Sequence, residues 1–391
     1  MALIFPDNFF WGTAMAAHQV EGSNFNNDWW EWEHRENTVC QESSGDACDF
    51  YHLYEKDIEM TRNLGFNMFR FSLEWSRIEP SEGEFSKAAI NYYRRILQAC
   101  HKHGMSTNVT YHHFTSPAWL HGTWSDKSTV DKFSRYVEYA TKALGDEIDF
   151  ACTINEPNIV ASMGYRFGIF PPGKRSSEER RLATENFVSA HVKSVEVIKS
   201  EFSHIRVGLA LSMSDYQPLE GAEERVLKIR EIMEDIYLEN TKGNDFIGVQ
   251  NYSRSRVAAS GKSDAGPEPG YEITEMGYEI YPQGLAATVK RAHEVTGLPV
   301  LVTENGISPI GDDDKVRVKF VRDALLGLHE TIESGVKVIG YTYWSIMDNF
   351  EWVLGYRPKF GLVAVDRDTF ERRVKPSGQW LGQVAAANRI D

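Results

Sequence analysis

Phe150-Ala151-Cys152-Thr153-Ile154-Asn155-Glu156-Pro157 and Pro299-Val300-Leu301-Val302-Thr303-Glu304-Asn305-Gly306 share one pattern, an apolar run that ends in a glutamate. Each run has the length of a buried β-strand, and a proline or glycine follows the glutamate closely. A carboxylate has no packing reason to lie at the end of such a strand, because burying its charge without a partner is costly. The pattern therefore predicts two functional carboxylates, Glu156 and Glu304.

Similar apolar runs recur along the whole chain and alternate with amphipathic segments. They predict eight strands, at residues 9–13, 67–72, 106–112, 149–155, 206–212, 245–250, 299–303 and 337–343. The segments between them predict helices, among them 52–63, 87–102, 129–144, 179–201, 281–296 and 316–334, and a last helix from about 376 to 388. Eight strands that alternate with eight helices predict a single α/β domain over residues 1–391, a closed (β/α)8 TIM barrel.

The barrel determines where the two glutamates meet. Active sites of this fold form at the C-terminal ends of the strands, and Glu156 ends the fourth predicted strand while Glu304 ends the seventh. We therefore expect both carboxylates to face one mouth of the barrel. Two carboxylates that flank one cleft are the groups that glycoside hydrolysis requires. Residues 260–270, rich in glycine and proline, predict a surface loop rather than a domain boundary.

The composition narrows the choice of partner. With 42 basic and 56 acidic residues, the chain carries a formal charge of −14. This charge argues against a nucleic acid or an anionic membrane surface as partner, and it permits neutral sugars. The first residues lack the basic and apolar regions of a signal peptide, and no apolar run is long enough to span a membrane. Because the four cysteines do not form a disulfide scaffold either, a reducing, cytoplasmic compartment is expected.

Cysteine and histidine spacing indicates neither a metal site nor a disulfide framework. The four cysteines form no CxxC pair, and we expect free thiols, with a bridge between Cys40 and Cys48 as the alternative. The chain has no HExxH sequence, and His101 and His103 do not share a helix face. The sequence therefore implies no metal and no cofactor.

Two motifs carry a resemblance to a known family. Residues 153–157 have the form TxNEP, and residues 302–306 have the form (I/V)TENG. With them the chain resembles glycoside hydrolase family 1, the β-glucosidase and β-galactosidase family, over essentially its whole length. The resemblance implies a retaining exo-β-glycosidase, in the first place a β-glucosidase, with galactose and fucose as alternative sugars. By position it implies that Glu156 is the general acid/base and Glu304 the nucleophile.

The resemblance also implies which residues surround the substrate. Arg70 and Tyr252 become neighbours of the nucleophile, and Trp344 becomes the platform under the sugar. Glu351 and Trp352 become ligands of its outer hydroxyls. The full implied set of binding residues is Gln19, Arg70, His113, Asn155, Tyr252, Tyr278, Trp344, Glu351, Trp352 and Phe360.

The chain departs from the family pattern at several positions. The family's NYY stretch reads Gln250-Asn251-Tyr252 here, and Phe114 stands where a tryptophan is usual. Tyr278 stands at the position of the family's tryptophan on the aglycone side, the side of the leaving group. The chain is also shorter than most members, so loops around the mouth must be trimmed. These departures leave the catalytic residues intact and leave the aglycone preference open.

Several aromatic residues and histidines have plain structural explanations. Trp29, Trp30 and Trp32 are expected to pack over the barrel rim rather than to touch substrate. Strand alternation sends His112 and His113 to opposite faces. One of the two histidines is therefore expected in the core and the other, His113 by resemblance, in the mouth.

Three other functions stay open as alternatives. A transglycosylase would use the same covalent intermediate with a sugar or alcohol as acceptor. A catalytically silent carbohydrate-binding relative would have lost a carboxylate, and both are present. A 6-phospho-β-glycosidase is disfavoured, because family members of that specificity typically carry serine where this chain has Glu351, whose charge would repel a phosphate. The expected partners are small-molecule β-glycosides or short β-linked oligosaccharides.

Overall fold

Eight parallel strands form a closed barrel in the computed structural model, which describes residues 2–261 and 264–391. The strands are β1 (Phe10–Ala14), β2 (Met68–Ser72), β3 (Ser106–His112), β4 (Phe150–Asn155), β5 (Arg206–Ser212), β6 (Phe246–Gln250), β7 (Val300–Asn305) and β8 (Val338–Trp344). Each strand is hydrogen-bonded to its neighbours in the sequence, and β8 pairs with β1 to close the ring. The predicted TIM barrel is confirmed, and each strand lies within two residues of its predicted bounds.

In the described part of the chain, eight long helices cover the barrel, one after each strand. They are α1 (Phe50–Leu64), α2 (Lys87–Lys102), α3 (Ser128–Leu144), α4 (Ser177–Glu201), α5 (Glu223–Arg230), α6 (Gln283–Thr296), α7 (Asp314–Glu333) and α8 (Pro376–Ala387). The sequence did not predict α5. In the structure, α5 is followed directly by a π-helix, Glu231–Asp235, and a last turn, Ile236–Leu238. Val226 is the buried residue of α5, so its sequence carries no apolar stripe to read.

Shorter elements lie in the loops and at the chain ends. The short helices and turns are Ala17–Val20, Asp28–His34, Trp75–Ile78, Ala118–Leu120, Gly145–Glu147, Pro157–Val160, Ala161–Arg166 (a π-helix), Ile310–Asp312 and Trp352–Leu354. Three two-stranded sheets pair Leu3–Ile4 with Arg389–Ile390, Asp215–Pro218 with Arg254–Val257, and Val363–Val365 with Arg372–Val374. The predicted surface loop at 260–270 includes residues 262 and 263, which lie outside the described residues; its described residues are mostly exposed.

Close packing at the barrel mouth explains one residue of the second glutamate motif. Inside the barrel, Met68, Phe150 and Leu301 belong to one buried apolar cluster. Above it, Gly306 follows β7, and a Cβ at this position would collide with the carbonyl oxygen of Trp344. The glycine therefore lets the chain leave β7 directly against the end of β8.

Within the described residues, no helix combines the length and the apolar character that a membrane crossing needs. Nor do they contain a group of three or more His, Cys, Asp and Glu side chains placed to hold a metal ion. All four cysteines are described and unbridged, and Cys48, Cys100 and Cys152 are buried.

Candidate active site

A cavity of about 480 Å³ opens at the C-terminal ends of the barrel strands. Glu156, which follows β4, and Glu304, on β7, both lie in its wall. The other lining residues are His113, Phe114, Asn155, Ile159, Met163, Ile169, Phe170, Ser212, Tyr252, Met276, Tyr278, Trp344, Glu351, Trp352, Val353, Leu354 and Phe360. The barrel therefore brings both predicted carboxylates to one site.

Three donors hold the carboxylate of Glu304. Its Oε1 accepts hydrogen bonds from Nη1 of Arg70 at 2.5 Å and from Nε2 of Gln250 at 2.7 Å. Its Oε2 accepts from the hydroxyl of Tyr252 at 2.6 Å. Burial raises the pKa of Glu304 above its ordinary value, while the charge of Arg70 and the three donors act in the opposite direction. These contacts favour the anion, which is the form that a nucleophile needs.

Glu156 has a different environment. Burial raises the pKa of Glu156 well above its ordinary value, the charge of Glu304 raises it further, and a hydrogen bond from the Ser212 side chain acts in the opposite direction. The carboxyl of Glu304 is surrounded by donors, whereas that of Glu156 faces a negative charge. These environments therefore move the two pKa values apart. Such a separation suits Glu156 to hold a proton while Glu304 is ionised.

The backbone of Glu156 is strained. Its φ of 43° lies in the left-handed region, at the point where β4 ends and the helix Pro157–Val160 begins. A residue other than glycine adopts this region at a cost on the order of 1–3 kcal/mol, and such strain is typical of functional sites. The turn aims the side chain into the cavity rather than along the strand.

Asn155 links the nucleophile to His113. Its Oδ1 accepts from Nη2 of Arg70 at 2.5 Å and from Nε2 of Gln250 at 2.8 Å. Its Nδ2 lies 3.2 Å from Nε2 of His113 and is the donor of that pair, which places the imidazole proton on Nδ1. Burial lowers the pKa of His113 well below its ordinary value, so the ring is neutral. The amide and the imidazole are thus each held in one orientation at the cavity wall.

The two neighbouring histidines diverge. Nε2 of His112 lies 3.1 Å from Oγ of Ser116, and its ring packs edge-on against Trp124 and Phe133. Burial lowers the pKa of His112 to about 3, so it is a neutral core residue. His113 lines the cavity instead, as strand alternation indicated.

Aromatic rings form one side of the cavity. Trp344 stacks on His113 with centroids 5.6 Å apart, and Phe360 packs on Tyr252 at 5.8 Å. The ring centroids of Trp352 and the buried Trp29 are 4.5 Å apart. Of the three tryptophans in the first loop, none lines the cavity among the residues described, and Trp32 is also buried while Trp30 is half-buried. These three tryptophans therefore lie outside the cavity wall.

Two residues of the implied binding set do not line the cavity. Arg70 is fully buried and contacts Glu304 and Asn155, so it acts through them. Gln19 is also fully buried, and its Nε2 donates to the carbonyl oxygen of Phe350 at 2.7 Å. Its Oε1 has no hydrogen-bond partner in the described part of the chain.

Glu351 lines the cavity, as the resemblance implied. Burial raises the pKa of Glu351 to about 8, with repulsion from Glu304 adding to the rise and a hydrogen bond from Trp344 opposing it. The raised pKa weakens the charge with which this carboxyl would repel a 6-phosphate. Among the described residues that line the cavity there is no lysine or arginine, so a phosphate finds no counter-charge on the wall.

Reasoning from the sequence missed two polar groups of the site. Ser212 ends β5 and bonds Glu156, and Gln250 ends β6 and bonds Glu304. A signal was present in each case, because a polar residue that ends a barrel strand lies at the active-site face. The apolar lining residues after β4 were missed as well, because no sequence motif marks them. They are Ile159, Met163, Ile169 and Phe170.

Replacing Gln250 by methionine is expected to lower kcat/KM, mainly on the acidic side of its pH profile. Methionine keeps the length of the side chain but donates no hydrogen bond to Glu304, so the pKa of Glu304 rises and its anion is lost at a higher pH. Loss of one such bond to a charged group predicts about a tenfold loss of kcat/KM on the acidic side and a smaller loss on the alkaline side. The control is Gln217→Met, whose glutamine bonds Asp215 and Arg254 outside the cavity. A loss of equal size at every pH would contradict this role.

Comparison with known proteins places this geometry among glycosidases. The family described as Glycosyl hydrolase family 1 matches residues 1–258 and 243–390. Beta-glucosidase A of Acetivibrio thermocellus is 31% identical over 444 residues, with 99% of each chain covered, and the beta-galactosidase of Pyrococcus woesei is 28% identical, with 94% of each covered. Among solved structures, beta-glycosidase BGL167 has a TM-score of 0.91 at 42% identity, covering 98% of this chain and 97% of its own. A beta-glycosidase from Pyrococcus horikoshii has a TM-score of 0.94 at 33% identity, covering 100% and 97%.

Proposed function

The chain belongs to glycosyl hydrolase family 1, and from that membership we propose that Glu304 and Glu156 hydrolyse terminal β-D-glycosyl residues with retention of configuration. The protein is a β-glycosidase; the roles of the two glutamates are the proposal. The contrast between their environments supports it most directly. Glu304 accepts hydrogen bonds from three donors, whereas Glu156 faces the charge of Glu304.

The reaction proceeds by two displacements at the anomeric carbon. In the first, Glu304 attacks that carbon while protonated Glu156 gives its proton to the glycosidic oxygen, and the leaving alcohol departs. A covalent glycosyl ester on Glu304 results. In the second, Glu156 takes a proton from a water molecule, which attacks the same carbon from the opposite face and releases Glu304. Two inversions restore the β configuration.

The first sugar released is expected to be the β-anomer. Retaining glycosidases hold the two carboxyl groups about 5–5.5 Å apart, which leaves no room for a nucleophilic water between them. Proton NMR in the first minutes of hydrolysis distinguishes the anomers before they equilibrate. An α-anomer as first product would overturn the retaining mechanism, although the protein would still be a glycosidase.

The pKa of Glu156 is expected to fall when the glycosyl ester forms. Esterification removes the charge of Glu304, and that charge raises the pKa of Glu156 in the free enzyme. The fall suits Glu156 to act as the base of the second step. Carbon-13 NMR can titrate Glu156 in the free enzyme and after a 2-fluoro sugar has trapped Glu304. An unchanged or higher pKa in the trapped enzyme would show that repulsion from Glu304 does not tune the acid.

β-D-Glucosides are the proposed main substrates, free or as short β-linked oligosaccharides. The support is the set of relatives, which includes a beta-glucosidase and a beta-galactosidase. Glucose, galactose and fucose would meet the same polar groups, so kcat/KM on a panel of nitrophenyl β-glycosides decides their order. The unbridged thiols fit a reducing compartment, and we propose a cytoplasmic location on that ground.

A further inference from the structure

A buried cation lies behind the loop that follows β8. Nζ of Lys375, the residue before α8, lies 3.0 Å from both carboxylate oxygens of Asp348 and 2.8 Å from Oδ1 of Asp312. Lys375 and Asp348 are buried, and none of the three lines the cavity among the residues described. Buried ion pairs add little net stability, because the cost of desolvation offsets the attraction. What such a pair does determine is the relative position of the segments that it joins.

A second buried cation extends this arrangement into an ion network. Arg317 on α7 is fully buried, and its Nη2 donates to Oδ1 of Asp312 at 2.5 Å and to the carbonyl oxygen of Lys359 at 2.7 Å. Its Nη1 donates to Asp314, which also accepts from the backbone N–H and the hydroxyl of Ser377, both at 2.6 Å. The network therefore joins the turn after β7, the loop after β8 and the first residues of α7 and α8.

The network holds one short turn of the loop after β8 on both sides of Phe360. On one side, the carbonyl oxygen of Lys359 is the acceptor of the buried arginine. On the other side, the backbone N–H of Gly361 donates to Oδ1 of Asp348 at 2.8 Å. A Cβ at Gly361 would lie 2.1 Å from the backbone nitrogen of Asp348, so glycine permits this close approach. The carbonyl oxygen of Phe360 itself accepts from the hydroxyl of Tyr343 at 3.0 Å.

Phe360 connects this turn to the proposed nucleophile. Its ring lines the cavity and packs edge-on against the ring of Tyr252, with centroids 5.8 Å apart. Both rings belong to one apolar cluster with Trp344. The hydroxyl of Tyr252 donates to Oε2 of Glu304 at 2.6 Å. Because close-packed rings restrict each other's movement, the position of Phe360 affects the hydrogen bond that reaches Glu304.

We propose that Asp348 is a positioning residue that holds Phe360 against Tyr252. The two buried cations fix its carboxylate and the other side of the turn. Through this contact the network keeps the Tyr252 hydroxyl on Glu304. The inference rests on the proposed function, because it concerns how the proposed nucleophile is held.

Asp348→Ala is expected to move the acidic limb of the pH profile of kcat/KM to higher pH, by about 0.5 to 1 on the pH scale. Alanine offers no acceptor to the N–H of Gly361, so the turn loosens and the hydrogen bond from Tyr252 to Glu304 weakens. That bond acts to lower the pKa of Glu304, and its weakening lets the pKa rise. The other titratable and charged groups that face Glu304 are unchanged, and they are Arg70, Cys152, Glu156 and Glu351. The measurement is kcat/KM for nitrophenyl β-glucoside against pH.

Two further variants make milder changes at the same turn. Asp348→Asn keeps an oxygen for the N–H of Gly361, and Lys375 keeps its contact with Asp312, so the acidic limb should return most of the way to its wild-type position. Tyr343→Phe keeps the ring but removes the hydroxyl that donates to the carbonyl oxygen of Phe360. It should move the acidic limb in the same direction as Asp348→Ala, by a smaller amount.

Glu79→Ala is the matched control. Glu79 is a fully buried carboxylate that accepts from the backbone N–H of Gly83 at 2.7 Å and from Arg135, so it also holds a turn with a cation behind it. It lies outside the cavity wall. Its loss should lower the temperature of thermal unfolding and leave the acidic limb in place. The position of a limb does not depend on the amount of folded enzyme, so partial unfolding does not imitate the expected result.

The outcomes separate a positioning role from a merely structural one. An unchanged acidic limb in Asp348→Ala would overturn the proposal, and if that variant does not fold, an unchanged limb in Tyr343→Phe would overturn it. An equal shift in Glu79→Ala would also overturn it, as would a shift in Asp348→Asn as large as in Asp348→Ala. None of these results would touch the glycosidase activity itself. Absence of turnover of nitrophenyl β-glucoside by the wild-type protein would refute the proposed function and the inference with it.

Discussion

Glu304→Gly is expected to abolish turnover of every β-glycoside, with a fall in kcat on the order of 10⁵ to 10⁶. The side chain that attacks the anomeric carbon is gone, so no covalent intermediate forms with any leaving group. Azide should restore activity, because glycine leaves a space that a small anion can enter beside Arg70 and Tyr252. Azide then attacks from the face that Glu304 occupied, and the product is the α-glycosyl azide.

The isosteric variant supplies the control for this experiment. Glu304→Gln removes the nucleophile but fills the same space, so it should be as inactive as Glu304→Gly and should not respond to azide. Thermal unfolding of both variants checks that each retains the barrel. Rescue of the glutamine variant, or a β-azide from the glycine variant, would contradict the role of Glu304.

Glu156→Ala is expected to show a loss that depends on the leaving group. Alkyl glycosides need a proton from Glu156, and removal of a general acid predicts a fall in kcat/KM of about 10² to 10⁴. Dinitrophenyl β-glucoside departs without a proton, so its first step should change little and the glycosyl-enzyme should accumulate. Azide needs no general base, and it should therefore release the intermediate quickly as the β-glycosyl azide.

Glu351→Ala distinguishes an acid from a binding residue. Glu351 lines the same cavity as Glu156, but it is implied to bind the sugar rather than to protonate the leaving group. Its removal should lower kcat/KM by a similar factor for alkyl and dinitrophenyl glucosides. If the loss of kcat/KM depended on the leaving group in Glu351→Ala but not in Glu156→Ala, the general acid would be Glu351 instead of Glu156. Opposite azide anomers in the two catalytic variants would exchange the roles of Glu156 and Glu304.

The sequence predicted those parts of the molecule that depend on local pattern. Buried parallel strands are largely continuous apolar runs, so β5 was predicted with its observed bounds. Glu156 and Glu304 were visible because a carboxylate at the end of such a run has no packing role. In contrast, α5 packs with little of its surface buried, and its sequence lacks the period that predicts a helix.

The contacts of Gln250 depend on the register between strands, which no local pattern contains. Glu304 of β7 pairs with Gln250 of β6 after a register irregularity that follows Val302. A shift of one residue turns a side chain to the opposite face of a strand, so the same residues in another register would not meet. The raised pKa of Glu351 and the burial of Gln19 are likewise invisible in the local sequence. Both follow from how distant loops pack over the mouth.

Closure of the barrel has a consequence for synthesis of the chain. Phe10 of β1 pairs with Gly340 of β8, so the first strand made receives its second neighbour only when nearly the whole chain has left the ribosome. Until then, β1 and the most recently made strand are open sheet edges, and open edges pair readily with other chains. Pairings between such distant segments also form slowly. A nascent chain that stops before β8 therefore carries both glutamates yet has no enclosed cavity, and it presents two adhesive edges instead of an active site.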